Sequence, residues 1–302
     1  MPNGAYFLDQ VAEFISGWIA GCAGVLVSHP FDTVRIRLQS QGVVPDSPLK
    51  YNGTIHCLVE TVKKEKVYGL FKGITPPLLG TAAWNAVVFG VYGNVMRVLS
   101  EGKEQERPSF KNTIIASVAV AFAQSLIICP MELVKCRLQV QTNSSNRLYK
   151  GTLDCISKIY RSNGFRGLYR GMPATIIRDI PGFVSYFLSF EYLCRVIAGE
   201  EGAYLGPVAL MLAGGTAGSI SWTLAFPPDV IKTRIQIDTS KRYTGFLQCL
   251  RSSFKEEQWR LFVRGLTPTI LRAFPMNAAI FTVHTMLSRM YAKYAMNDEL
   301  NS

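Results

Sequence analysis

The chain is poor in charge. Only 18% of its 302 residues are charged, against about 25% in a typical soluble domain. Acids are the scarcer sign: 21 Asp and Glu stand against 32 Lys and Arg, so 32 − 21 gives +11. With 48% hydrophobic residues, this excludes a disordered, solvated chain and argues against an ordinary soluble enzyme. Histidine is scarce, with three residues, and none of the seven cysteines forms a C-x-x-C pair. A zinc-type centre is therefore not expected. The odd set Cys22, Cys57, Cys129, Cys136, Cys155, Cys194 and Cys249 reads as core thiols in a reducing setting. The opening MPNGAYFLDQ has neither the basic region of a signal peptide nor the arginines of a transit peptide, so any organelle address is expected to be internal. No nucleophile–base or phosphate-loop motif is visible, so neither an enzyme nor a resident cofactor is expected. A nucleic-acid binder would fit the charge but not the hydropathy. What remains is a membrane protein beside anionic lipid, or a handler of anionic solutes.

A repeat is plainly present. Pro30-Phe-Asp32-Thr-Val-Arg35-Ile-Arg37-Leu-Gln39 returns as Pro130-Met-Glu132-Leu-Val-Lys135-Cys-Arg137-Leu-Gln139 and as Pro227-Pro-Asp229-Val-Ile-Lys232-Thr-Arg234-Ile-Gln236. Tyr51-Asn-Gly53, Tyr149-Lys-Gly151 and Tyr243-Thr-Gly245 keep the same register, as do Phe71-Lys72-Gly73, Tyr169-Arg170-Gly171 and Val263-Arg264-Gly265. Three independent anchors keep step, so three units are expected, at 8–102, 108–199 and 206–294. Each holds two apolar stretches, roughly 11–40 and 74–99, 111–141 and 172–198, and 207–237 and 266–293. Each is long enough to cross ~30 Å of hydrocarbon as a helix. Gly17, Gly21 and Gly24, Ala119 with Ala123, and Gly214 with Gly218 supply the small-residue spacing that lets helices approach in lipid. A polar loop with a short helical stretch joins the two spans of each repeat, at Gly53–Glu65, Gly151–Asn163 and Gly245–Glu257.

Six spans put both termini on one side. Residues 35–72, 137–171 and 232–264 hold 22 of the 32 Lys and Arg, while the connections near 97–111 and 195–206 hold five. The positive-inside tendency turns the three long loops toward the compartment of insertion or its descendant, which is the matrix in an organelle of bacterial origin.

The signatures have a physical logic. A proline after a long apolar run removes one helical hydrogen bond and kinks the helix; Pro30, Pro130 and Pro227 are the expected kinks. An acid and a base three residues apart share a helix face. Asp32 with Arg35, Glu132 with Lys135, and Asp229 with Lys232 therefore bring three acids and three bases to one end of a bundle. They can pair within a turn or between neighbouring repeats. The even spans carry charges in their middles, at Arg178, Asp179 and Arg272. A mid-span charge is costly and usually faces a watery cavity, so these lead the solute-site candidates. An internal Arg178–Asp179 pair with a packing role is the plainer alternative.

The triple P-x-[DE]-x-x-[KR]-x-[KR] signature with its trailing Gln resembles that of the mitochondrial carrier family, and the resemblance covers nearly the whole chain. It implies an all-α membrane protein of six transmembrane helices in three pseudo-symmetric repeats, each with a short matrix helix, around a central cavity. It implies pairing across repeats, Asp32 with Lys135, Glu132 with Lys232 and Asp229 with Arg35, as a matrix gate braced by Gln39, Gln139 and Gln236. It implies the inner mitochondrial membrane with termini toward the intermembrane space, a functional monomer, small-molecule solutes as partners, and cardiolipin as the bound lipid. It places the solute at the positions here occupied by Gly80, Arg178 and Arg272, with Asp179 beside them. A zwitterion with an extra cation suits that set: Arg272 or Arg178 for the carboxylate, Asp179 for the ammonium, and Trp84 or Trp222 as a cation–π face. Asn85 is a further candidate. Cys-Pro-Met-Glu-Leu-Val-Lys (129–135), Asn-Ala-Val-Val-Phe-Gly-Val (85–91) and Gln-Trp-Arg-Leu-Phe-Val-Arg-Gly-Leu (258–266) are similar to the basic amino acid branch of the family. Carnitine/acylcarnitine exchange is the alternative, and a proton-leak or structural role on the carrier fold the alternative of another class. The second gate of the family, [FY][DE]xx[KR] on the even spans, is not matched. Its positions read Tyr92-Gly93, Phe190-Glu191 and Val283-His284, and each lacks the base. A weak gate on that side, and loose coupling of exchange, are expected.

Overall fold

A computed structural model of the chain describes residues 2–41, 50–99, 109–141, 148–198, 206–240 and 242–301. The expected unit boundaries at 102, 108 and 199, and much of the two short connections used for the charge tally, lie outside the described residues.

Six long helices alternate with short ones. The long helices are α1 (Pro2–Gln39), α3 (Thr75–Leu99), α4 (Phe110–Val140), α6 (Met172–Ala198), α7 (Pro207–Ile237) and α10 (Leu266–Asn301). Between the long helices of each repeat lie α2 (Thr54–Glu65) with a 3-10 turn at Val67–Phe71, α5 (Thr152–Leu168), and α8 (Phe246–Glu257) with α9 (Arg260–Val263). By length and apolar composition, the segments containing α3, α4 and α6 each qualify as a span among the described residues. Pro30, Pro130 and Pro227 lie inside α1, α4 and α7.

The buried core is threefold as well. Val34, Leu38, Tyr51, Cys57 and Leu70 form one cluster. Leu133, Val134, Leu138, Cys155 and Ile159 form its counterpart, and Ile231, Ile235, Tyr243, Cys249 and Leu261 belong to the third. Each cluster clamps a short helix onto the end of the first long helix of its own repeat, α1, α4 or α7. All seven cysteines are free, and five are buried. Burial pushes the thiols of Cys57, Cys155 and Cys249 up to about 11.

The second base of each signature ties the repeats into a ring. Arg37 donates to the Gln139 carbonyl at 3.1 Å, Arg137 to the Gln236 carbonyl at 3.1 Å, and Arg234 to the Gln41 carbonyl at 2.9 Å. Gly73, Gly171 and Gly265 close the same ring. Their φ values are 72°, 87° and 92°, a region that favours glycine. A Cβ on them would lie 3.0–3.2 Å from Lys135, Gln236 and Gln39 of the next repeat. Both constraints account for the repeated glycine.

The repeats differ inside this frame. In the first, Arg37 also reaches Glu65 at 2.9 Å, and Lys72 meets the same carboxylate at 2.6 Å. In the third, Arg234 and Arg264 share Glu257, both at 2.6 Å. In the second the matching residue is Asn163, which is exposed. Arg137 bonds Tyr149 Oη at 3.1 Å instead, and Arg170 crosses to Asp238 at 2.7 Å. Burial opposes ionisation of Glu65, but hydrogen bonds from Arg37 and Lys72 outweigh it and hold its carboxyl below the usual range.

Helix packing is uneven around the bundle. The extensive contacts are α1 with α10, α6 with α7, α3 with α4, and α4 with α6. Within the first and third repeats, α1 with α3 and α7 with α10 touch only sparsely. Gly24 permits the close α1–α10 approach, because a Cβ there would lie 2.5 Å from Ile280.

Candidate functional site

The signatures converge at the end of the bundle where the short helices lie. Lys135 Nζ meets Asp32 at 2.6 Å, Lys232 bonds Glu132, and Arg35 bonds Asp229. Every acid is paired with the base of a neighbouring repeat, so each pair joins two repeats rather than two turns of one helix.

Even-helix arginines double this ring. Arg178 Nη1 donates to Glu132 at 2.8 Å and approaches Asp229 at 3.5 Å. Arg272 Nη1 donates to Asp32 at 2.7 Å. Each gate acid thus has one partner from the ring and one from α6 or α10. Two guanidinium groups lie over the indole of Trp222, Arg272 at 4.4 Å and Arg35 at 5.0 Å from its ring centroid. These residues line a cavity of about 160 Å³. Five bases (Arg35, Lys135, Lys232, Arg178, Arg272) and three acids (Asp32, Glu132, Asp229) face it, so its lining carries 5 − 3 = +2. Charges buried in this way hold only while paired. Glu132 is the most open of the acids, with 25% of its side chain exposed against 10% for Asp32 and 2% for Asp229.

Several expected residues lie elsewhere. Asp179 is buried and does not line the cavity. It accepts from Gln124 Nε2 at 2.6 Å, Ser125 Oγ at 3.3 Å and Arg178 Nε at 2.5 Å. These protein donors occupy both oxygens, so the ammonium-binding role assigned to it does not fit. Gly80 faces α4, where Met131 occupies the space its side chain would need. Trp84 donates its N–H to Gln124 at 2.5 Å, and Trp222 is the indole in the cavity. Asn85, half-buried on α3, does not line the cavity either. The α3 helix therefore gives this cavity no side chain.

The three glutamines behave differently. Gln39 donates to Asp229 at 3.1 Å and braces the Arg35–Asp229 pair. Gln139 bonds Thr33 Oγ1 at 2.9 Å and His29 Nε2 at 3.2 Å, not the Asp32–Lys135 pair. Gln236 makes no side-chain hydrogen bond among the described residues. The cause is legible in the flanking residues. His29 and Thr33 offer Gln139 polar partners, whereas the matching positions are Cys129 and Leu133 in the second repeat and Phe226 and Val230 in the third.

At the opposite end of the even helices no matching ring forms among the described residues. Glu191 pairs with Arg195 of its own helix at 2.8 Å, and Tyr92 stacks on Phe187 with centroids 4.1 Å apart. Sequence reasoning missed Gln124 and Ser125. A polar pair inside an otherwise apolar span was the available signal.

Two kinds of comparison bear on this arrangement. The family profile described as mitochondrial carrier protein matches three times, at residues 8–103, 106–201 and 204–295. The mitochondrial basic amino acids transporter of Bos taurus is 46% identical over 291 residues, covering 95% of this chain and 93% of the relative. Its Homo sapiens counterpart is 46% identical over 278 residues, with 91% and 89% covered. Solute carrier family 25 member 45 of Mus musculus is 40% identical over 293 residues, with 93% and 99% covered. With three matched repeats, six long helices and a ring of inter-repeat ion pairs at one end, this chain belongs to the mitochondrial carrier family, as a multi-pass mitochondrial membrane protein.

Proposed function

We propose that the protein carries basic amino acids (arginine, lysine, and by the same chemistry ornithine and histidine) across the inner mitochondrial membrane by alternating access, as a transporter and not an enzyme. The observation that carries this reading is the Arg272–Trp222–Arg35 stack on Asp32 and Asp229. A guanidinium is already held there between an aromatic face and carboxylates, so the cationic end of a solute finds the same partners by displacing Arg272. The solute carboxylate goes to Arg178, and its α-ammonium to Glu132, the most open acid. The names of the relatives support the same solute class.

Transport follows from competition. A carboxylate on Arg178 draws that guanidinium from Glu132 and Asp229, and the solute's cationic end displaces Arg272 from Asp32. The ring acids exchange fixed partners on α6 and α10 for a mobile solute, and the matrix side opens. Solute drives this only to the extent that it binds the opening arrangement better than the closed one. Without a matching ring at the other end, exchange is loosely coupled and net uptake occurs.

The termini face the intermembrane space, and the monomer is the working unit. Cardiolipin binds where the short helices begin. Gly53, Gly151 and Gly245 precede them without a side-chain cap, leaving first-turn N–H groups for a phosphate. Uptake of labelled arginine, lysine, carnitine and palmitoylcarnitine into proteoliposomes tests the solute class. Saturable arginine and lysine uptake is expected. Uptake of carnitine or its ester alone overturns the reading, and uptake of none of the four, with a proton leak, moves the chain to another class.

A further inference from the structure

A chain of hydrogen bonds, buried from Gln124 onward, runs from α3 through α4 to α6. Trp84 Nε1 donates to Gln124 Oε1 at 2.5 Å. Gln124 Nε2 donates to Asp179 Oδ2 at 2.6 Å, and Asp179 Oδ1 receives Arg178 Nε at 2.5 Å. The far side of the same guanidinium reaches Glu132 and Asp229 in the cavity. Neighbouring residues on a helix do not face one another. Arg178 nevertheless holds Asp179 beside it while Asp179 is held toward α4. Gln124 is 3% exposed, and both ends of its amide are occupied, so its orientation is fixed by its partners. The equivalent residues in the other repeats are Gly24 and Ser221, and the equivalents of Asp179 are Thr81 and Ala273. Ser221 donates to the Gly182 carbonyl instead, and a Cβ on Gly24 would meet Ile280. The tether is peculiar to the second repeat.

We propose that Gln124 is a positioning residue for solute recognition: acting through Asp179, it aims Arg178 so that the carrier selects the carboxylate end of its amino-acid solute. This rests on the functional reading above and adds to it a determinant that makes no contact with solute. Asp179 is the hinge of the tether. With its donors in place, Arg178 presents to the cavity, in one geometry, the Nη1 side that Glu132 and Asp229 hold until solute competes for it. When the donor from Gln124 is lost, Asp179 and the guanidinium it steers turn away, and a bidentate grip on carboxylate is lost before the grip on the cationic end.

The test uses the full chain in proteoliposomes, reading inhibition of labelled lysine uptake by arginine and by agmatine, which is arginine without its carboxylate. Gln124→Glu keeps the size and the acceptor for Trp84 but removes the donor to Asp179. The arginine inhibition constant should rise about tenfold while that of agmatine stays within about twofold. The double variant Q124E/D179N reverses donor and acceptor, and should restore most of the arginine inhibition. Equal shifts for both inhibitors, no shift, or no rescue in a double variant of wild-type melting temperature would overturn the proposal. Should Q124E fail to fold, Trp84→Phe frees the other end of the amide and should give a smaller selective shift of about two- to threefold; an unselective or absent shift overturns the proposal there too. Wild-type vesicles that take up no basic amino acid sink the functional reading instead. The same split is then read with carnitine against its decarboxylated counterpart, β-methylcholine.

Discussion

The second repeat is built unlike its neighbours. Inside it, α4 and α6 pack extensively and are bonded mid-membrane through Gln124, Ser125 and Asp179. In the first and third repeats the two long helices touch sparsely. At the end where the short helices lie the order is reversed. Repeats one and three each lock a buried arginine onto a glutamate of their own short helix, and repeat two has Asn163 there and leans on Asp238 of the third. Pseudo-symmetry thus fixes where the charges stand, and departures from it decide what each one does. The middle repeat bonds its two long helices to each other, and the outer two bond their first long helix to the short helix.

The largest test of that contrast is Arg178→Ala. It removes the cation that α6 gives to the cavity and leaves Glu132 and Asp179 short of a partner, a loss of about 3 kcal/mol or more. Arginine uptake should fall at least about 100-fold, and uptake near the wild-type rate would place solute elsewhere.

Next in size is a charge reversal in the ring. Lys135→Glu alone should abolish transport by facing Asp32 with a like charge. Adding Asp32→Lys should restore only part of it, because Arg272 remains where it held Asp32. Full restoration would mean that the even-helix arginines do not share the ring.

A smaller effect sharpens the contrast at the short-helix end. Asn163→Glu supplies the missing acid of the second repeat, and should raise stability by about 1 kcal/mol through a bond to Arg137, read as a higher melting temperature. Glu65→Gln does the opposite in the first repeat. The folded pKa of Glu65 lies below its unfolded value, so its contribution is present at neutral pH and fades as pH falls below about 4.5. The variant should melt lower at pH 7 and lose less on acidification; an unchanged acid limb would count against the Arg37–Glu65–Lys72 cluster.

The smallest signal is a threefold silence. Cys57, Cys155 and Cys249 should resist maleimide at neutral pH in the folded carrier, because the thiolate is the reactive form and burial holds their pKa near 11. Fast labelling of one alone would show that its repeat is loosely packed.

Most of the architecture was legible in one dimension. Residues that recur at Pro30, Pro130 and Pro227, at Gly73, Gly171 and Gly265, and at the acid–base spacing reveal a repeat. A repeat of two apolar runs has few ways to bury its charges. The short helices were legible too: even in α5 the helix breaks at Gly164, where φ is 61°, just after the expected stretch ends at Asn163. The solute end was less legible. Arg178 and Arg272 stood out because a charge inside an apolar span needs water or a partner, yet Asp179 beside Arg178 looked like a ligand and has both oxygens taken by Gln124, Ser125 and Arg178.

Periodicity and charge alone determined six spans, three units, the end at which opposite charges gather, and which spans carry internal arginines, because each follows from local pattern and the cost of burying charge. Which acid meets which base, which glutamine has a partner, and whether Trp84 or Trp222 meets a guanidinium were decided only by tertiary structure. Those outcomes depend on the rotation of one helix against another, and a single sequence does not encode that angle in any window of neighbours.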